Sequence, residues 1–303
     1  RCAASDDCEK SIAMKRSTSA GATWGPVVFV LGADPRLRPP AHRTAPPGGT
    51  AADRVKSWWN PDALYDPDAG AVTLMFLVNR TDCVRPWLRP GGCDVQRIVS
   101  TNDGASFSAP TSMAPALGAW SNGLRTGPGH GIVLRAGPRR GRQLFVGTYS
   151  VLNTTVPPGA HPPPRPDTDL VFYSDDRGRS YHLSPARLRG VDEAAITELR
   201  NGSILITAHH GAAPIPPHAC RPGTLCRPLA RSDDAGHSFG PWRYLPELVS
   251  PGVEASLASS GDSVFFSNPE PAAGECFRYA GGVDCRRNMT VRRSDTAVPA
   301  SRT

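Results

Sequence analysis

Short runs of apolar residues, each closed by a cluster of Ser, Asp and Gly, punctuate this chain from one end to the other. Ile12-Ala13-Met14, Val27-Val28-Phe29-Val30-Leu31, Val72-Thr73-Leu74-Met75-Phe76, Asp169-Leu170-Val171-Phe172-Tyr173 and Ile204-Leu205-Ile206 have the length and the β-branched and aromatic content of strands. No long stretch keeps apolar residues at helical spacing, so the pattern predicts an all-β fold. Two Pro-rich stretches, 35–47 and 157–166, read as loops because proline cannot donate to an interior ladder.

The polar clusters repeat one another. Ser232-Asp233-Asp234-Ala235-Gly236-His237-Ser238-Phe239 is matched closely by Ser174-Asp175-Asp176-Arg177-Gly178-Arg179-Ser180-Tyr181 and more loosely by Ser100-Thr101-Asn102-Asp103-Gly104-Ala105-Ser106-Phe107. Ser17-Thr18-Ser19-Ala20-Gly21-Ala22-Thr23-Trp24 keeps all but the acid, and Ser294-Asp295 begins a further copy. Ser, Asp and Asn fold back onto local N–H groups and Gly supplies a positive φ, which is the chemistry of a hairpin turn. The closing aromatic is expected to pack between neighbouring sheets. One such turn is commonplace, but four at uneven spacings longer than a blade describe a β-propeller with long loops between strands.

At 303 residues, 39% hydrophobic and 20% charged, with 30 Gly and 32 Pro, the chain suits one all-β domain over 1–303 and is not disordered throughout. The cysteines fall into close neighbours: Cys2 with Cys8, Cys83 with Cys93, Cys220 with Cys226, Cys276 with Cys285. Loop-stapling disulfides fit this spacing, whereas a zinc site would need a Cys-x-x-Cys or histidines at finger spacing, and neither occurs. Asn79, Asn153, Asn201 and Asn288 head Asn-x-Ser/Thr sequons, so a glycoprotein of an oxidising compartment is expected, secreted or in a secretory or lysosome-like organelle. The net charge of +7 comes from dispersed arginines without interleaved aromatics, which argues against nucleic acid and for attraction of anionic glycans. No apolar run has the length of a membrane span. The opening on Arg1 leads us to expect a missing N-terminal segment.

The repeated cluster resembles the Asp box of the sialidases (neuraminidases), and several segments between the boxes extend the likeness over nearly the whole chain outside the Pro-rich loops. Asn60-Pro61-Asp62 through Gly70 with the strand after it is similar to one sialidase blade, and Gly127-Pro128-Gly129-His130-Gly131 to the segment that sialidases place beside the substrate pocket. Val191-Asp192-Glu193 through Glu198-Leu199, with an Asn-Gly turn and an apolar strand, resembles the hairpin of the family's catalytic glutamate. The resemblance implies a six-bladed β-propeller of antiparallel four-stranded sheets, about five blades of it present and cut at both ends. It implies an exo-α-sialidase that releases terminal sialic acid from glycoproteins, glycolipids or oligosaccharides with retention and without a cofactor or metal. In this family a tyrosine is the nucleophile, a glutamate takes its proton, an aspartate is acid and base, and three arginines hold the substrate carboxylate.

Carried onto this chain, Glu193 is the catalytic glutamate with Glu198 its structural companion, and Asp6 is the acid/base, with Asp7 the alternative and Arg1 beside it. His130 and Tyr149 are expected to line the sugar. Arg286 is the third arginine of the clamp unless Arg287 faces inward. The first arginine is expected in a strand before residue 1 and the tyrosine nucleophile beyond the third arginine, where no Tyr follows Tyr279, so these 303 residues alone are expected to be inactive. Where the second arginine should stand, at the end of the strand after the Glu193 hairpin, the chain has His209, then His210. A neutral imidazole lacks the charge of a guanidinium, and losing a charge-assisted pair costs about 1.5–3 kcal/mol of binding. Two further readings therefore stand beside the sialidase: a glycan-binding propeller without catalysis, and an enzyme for a related ulosonic acid.

Overall fold

The computed structural model describes residues 10–32, 55–80, 93–121, 124–127, 129–149, 167–210, 219–220, 226–270, 277–279, 282–284 and 286–295. Arg1, Asp6, Asp7, both Pro-rich stretches and most of the cysteines outside the 220–226 pair fall outside them. Strands β1 (Ile12–Met14) and β2 (Val28–Leu31) form an antiparallel pair. The next sheet holds β3 (Val55–Asp66), β4 (Ala71–Arg80), β5 (Cys93–Ser100) and β6 (Thr111–Ser112), and a four-residue helix follows it. Strands β7 (Leu124–Thr126), β8 (Gly129–His130) and β9 (Ile132–Val133) lead into β10 (Gln143–Tyr149), β11 (Thr168–Ser174) and β12 (His182–Arg189). These build a sheet in the order β12-β11-β10-β7 with β9 also on β10, while β8 crosses to lie parallel to β3. A third sheet runs β13 (Val191–Glu198), β14 (Ile204–His210), β15 (Cys226–Ser232) and β16 (Arg243–Val249). The last sheet joins β17 (Ser256–Ser260), β18 (Ser263–Pro269) and, beyond a small hairpin of β19 (Phe277–Tyr279) and β20 (Gly282–Asp284), β21 (Met289–Ser294).

The chain is thus all-β, with four blades of a propeller among the described residues; the six blades and the fifth full sheet expected from the sequence are not confirmed. The β1–β2 pair flanks the first box as β15 and β16 flank the last.

Burial on both faces of a strand is what makes these sheets blades. Leu74, Phe76 and Val78 of β4 pack with Ile12 and Ile98 on one side, while Met75 and Leu77 point the other way into a core with Phe145, Leu170 and Phe172. Likewise Leu144 and Val146 of β10 meet Ile196, Ile204 and Ile206, and Leu205 and Leu229 meet Leu257 and Phe266 of the last blade. Alternation with both phases apolar requires a neighbour on each face, so the cores lie between blades.

The boxes at Ser100, Ser174 and Ser232 each sit between the third and fourth strands of their blade, the one at Ser17 between β1 and β2, and all make the same bonds. The Ser232 hydroxyl accepts from Gly236 N at 3.0 Å, and Asp234 accepts from Ser238 N at 2.9 Å. The equivalent pairs are Gly178 N to Ser174 at 2.7 Å with Ser180 N to Asp176 at 2.8 Å, and Gly104 N to Ser100 at 2.9 Å with Ser106 N to Asn102 at 2.9 Å. In the copy without an acid, Ser19 takes over, accepting from Thr23 N at 2.8 Å. The turn needs two successive left-handed residues, for Arg177 has φ 61° and Gly178 φ 79°, Ala235 φ 59° and Gly236 φ 83°. The aromatic plug holds for Tyr181, which is buried, whereas Trp24 is 60% exposed. Cys220 and Cys226 are disulfide-bonded as the spacing suggested, and the other cysteine pairs each reach outside the described residues. Among the described residues no helix is long and apolar enough to cross a membrane.

Candidate functional site

Where β13 pairs with β14 the register slips between Asp192 and Ala195, and in that bulge Glu193 adopts φ 54°. A left-handed glutamate is strained by about 1–3 kcal/mol and persists only where the surroundings fix it. Here they do. The Glu193 N–H donates to Thr148 Oγ1 at 3.0 Å, and that hydroxyl donates to Asp169 Oδ1 at 2.6 Å. Asp169 is wholly buried on β11, and burial followed by the charge of Asp192 holds its carboxyl well above the usual range. A relay from β11 through β10 therefore pins the bulge and turns the Glu193 side chain out of the ladder.

His209, on β14 directly across from Asp192, brings Nε2 within 3.2 Å of Glu193 Oε2 and 3.9 Å of Asp192 Oδ2. Arg125 on β7 grips Asp192 through one nitrogen at 3.0 and 3.1 Å from its two oxygens. Burial lowers the Arg125 pKa, but Asp192 and Glu193 outweigh it and the net shift is upward. Asp192, Glu193 and His209 offer three donor atoms within 4.8 Å of one another. With both Asp192 oxygens engaged by a guanidinium, a cation placed there would face a like charge, so the trio suits proton transfer and hydrogen bonding better than metal ligation. A carboxylate hydrogen-bonded to imidazole in a half-buried bulge can take a proton from a hydroxyl presented to it.

Further out, Glu254 precedes β17, and its carboxyl is raised by burial and by Glu193, while Arg286 and His209 pull it down. Arg286 is exposed, and its charge reaches Glu254. Arg227 of β15 is fully buried, its Nη1 donating to Val253 O at 2.9 Å.

The Gly127–Gly131 segment is knitted to β3. Asn60, itself at φ 47°, donates through Nδ2 to Thr126 O at 3.1 Å, and Thr126 Oγ1 donates to Asn60 O at 2.6 Å. Gly131 N donates to Ala63 O at 2.9 Å, and a Cβ at Gly131 would come within 2.7 Å of Leu144 O, so the close approach of β10 requires glycine there. Beneath this segment Asp62 is 2% exposed, and burial pushes its carboxyl up to about 8. His130, part-buried on β8, is lowered by desolvation. Tyr149, at the end of β10, lies edge-on to Trp120 with ring centroids 4.7 Å apart, and burial raises its phenol. Glu198, at the far end of β13, accepts from the backbone N–H groups of Arg135 at 2.7 Å and Ala136 at 3.0 Å, so its carboxylate is a strut between blades.

Of the residues read from the sequence, Glu193 and His209 thus meet directly, His130 and Tyr149 lie on β8 and β10, Arg286 is exposed shortly before β21, and Arg1 and Asp6 fall outside the described residues. The sequence reading missed Arg125, Thr148, Asp169, Arg227 and Glu254. The available signal was a charged residue in phase with buried apolar ones, as Arg227 is with Leu229.

The fold is an Asp-box propeller, and comparison with known proteins finds it similar to sialidases. A sialidase of Micromonospora viridifaciens is 29% identical over 256 residues, which is 82% of this chain and 34% of that protein. Among solved structures, the Hadza microbial sialidase Hz136 superposes with a TM-score of 0.66 at 20% identity, covering 94% of this chain and 50% of its own. Trypanosoma rangeli sialidase gives 0.63 at 14% identity, covering 96% and 43%. A leech intramolecular trans-sialidase gives 0.61 at 15% identity, covering 94% and 53%. No family model matches the chain. Together these likenesses support a sialidase-family protein, and the chain spans about a third of the length of that relative and about half that of the structures.

Proposed function

We propose that this protein is an exo-α-sialidase of the secretory pathway, hydrolysing terminal α-linked sialic acid, or a related ulosonic acid, from glycoconjugates with retention. The observation that carries this is Glu193, held at φ 54° by its bond to Thr148 and paired with His209 at 3.2 Å. Glu193 is the base that takes the proton of a tyrosine nucleophile, Asp6 the acid/base, and Arg286 with a protonated His209 the carboxylate grip, with Arg1, His130 and Tyr149 around the sugar. The reading includes a six-bladed ring, glycosylation at the sequons, and water rather than a sugar hydroxyl as acceptor, where a trans-sialidase would transfer to the hydroxyl.

The replacement of an expected arginine by His209 favours one other reading, a propeller that binds sialylated glycans without cleaving them. A fluorogenic α-sialoside and saturation-transfer NMR with free sialic acid, both applied to the full-length protein, separate the two. Hydrolysis lost by at least about 100-fold in Glu193→Ala supports the enzyme. Binding without turnover supports the lectin, and neither binding nor turnover removes both.

A further inference from the structure

The Nε2 atom of His209 stands between the carboxylates of two successive residues, 3.2 Å from Glu193 Oε2 and 3.9 Å from Asp192 Oδ2. Only the shorter contact is a hydrogen bond. Register by itself favours the other, because β13 and β14 pair Asp192 with His209, and opposite residues of an antiparallel pair share a face. A competing partner therefore holds Asp192.

That partner comes from the neighbouring blade. Arg125 Nη2 donates to both Asp192 oxygens, at 3.0 and 3.1 Å. The two side chains are only 17% and 14% exposed, so solvent screens the pair little and the guanidinium compensates the Asp192 charge. Glu193 is then the carboxylate left to the imidazole. On β7, Arg125 is paired with Thr148 of β10, and the same Thr148 accepts from the Glu193 N–H at 3.0 Å. One cross-strand pair thus grips two successive residues of the bulge, Asp192 by its side chain and Glu193 by its backbone. The Thr148 hydroxyl gives its only proton to Asp169 at 2.6 Å, which leaves its lone pairs for Glu193.

We propose that Arg125 and Thr148 are positioning residues that assign His209 to Glu193: Arg125 withdraws Asp192 from the imidazole, and Thr148 fixes the backbone from which Glu193 meets it. The inference rests on Glu193 being the working carboxylate of the proposed site. The other charged groups around the ring are Asp169 of β11, buried and bonded to Thr148, Glu254 ahead of β17, and Arg286, exposed before β21.

The test is a pH titration of the His209 ring by ¹⁵N NMR in the full-length protein, with the resonance assigned by its loss in His209→Gln. Glu193→Gln is expected to lower the His209 midpoint by about one pH unit, whereas Arg125→Gln/Asp192→Asn, which replaces the ion pair by two neutral amides, should leave it within about 0.3. Arg125→Gln alone should raise it by about one pH unit, because Asp192 then competes for the ring. A midpoint that holds in Glu193→Gln, or that falls as far in Arg125→Gln/Asp192→Asn, overturns the proposal, as does a folded Arg125→Gln with an unchanged midpoint. If Arg125→Gln fails to fold, the first two variants decide. In turnover, Thr148→Val is expected to lose at least about tenfold in kcat with KM within about twofold, and Thr148→Ser, which keeps the hydroxyl, to recover most of it. Equal loss in both overturns the part given to Thr148. A protein without turnover whose His209 titration follows the expected pattern rejects the hydrolase reading and leaves the pairing in place.

Discussion

Glu198 offers the sharpest test of how this propeller holds its site in place. Its carboxylate is 3% exposed and accepts the backbone N–H groups of Arg135 and Ala136 at 2.7 and 3.0 Å, with the Arg135 side chain at 3.4 Å. Its own carbonyl accepts from the Ser259 hydroxyl, so one residue at the end of β13 ties together three successive blades. Glu198→Ala removes the acceptor of two N–H groups. Charge-assisted bonds of this kind are worth about 1.5–3 kcal/mol each. Arg135 is 64% exposed, so water reaches part of the gap and the lower end of the range applies, giving about 3 kcal/mol in all. Glu198→Gln keeps one oxygen acceptor and sets an amide donor against the other N–H, for a loss of about half as much. Equilibrium unfolding in urea, followed by the fluorescence of the six tryptophans, measures both. If both variants lie within about 0.5 kcal/mol of the native protein, the strut is not a stability element and the reasoning is wrong.

The remaining expectations concern pH and the histidine. Asp62, raised by burial to about 8 from an ordinary 3.8, keeps a proton in the folded protein that the unfolded chain releases, so its contribution to stability is complete below about 3.8 and is lost as pH rises through about 8. Asp62→Asn should therefore flatten the fall of unfolding free energy across that window by about 1.4 kcal/mol per pH unit, and an unchanged slope would show that the carboxyl is ionised in the fold. His209→Arg restores the charge expected beside Glu193 and should tighten binding of free sialic acid by about tenfold near neutral pH, with a smaller gain where His209 is already protonated. Weaker binding in isothermal titration at every pH would show that the pocket is built around an imidazole.

Much of the architecture was legible because its signals are local. A box needs only Ser, Asp or Asn, and Gly at fixed offsets, since the bonds that shape its turn join residues four apart, and all four copies fold alike even where Ser19 replaces the acid. The left-handed residue ahead of each glycine was not legible, because Ala20, Asp103, Arg177 and Ala235 share no chemistry. The number of blades was equally beyond reach. Ring closure is a property of how sheets pack, and the hydrophobic phase of a strand says only that both its faces are covered.

The site divides along the same line. Glu193 could be found from Glu198 and the Asn-Gly turn because the hairpin carries its own pattern, but its bulge is fixed by Thr148 and Asp169, which reach it from β10 and β11. What the strand pattern does carry is the anomaly of a charge in a buried phase. In β3, Asp62, Leu64 and Asp66 are all buried while Tyr65 between them is 57% exposed, and in β15 Arg227 alternates with Leu229. Such positions stand out in the amino-acid sequence itself, since an ionisable group is seldom enclosed without cause. Their partners do not, because Arg227 on β15 is held by the carbonyl of Val253 from beyond β16, and only the stacking of blades decides which groups meet.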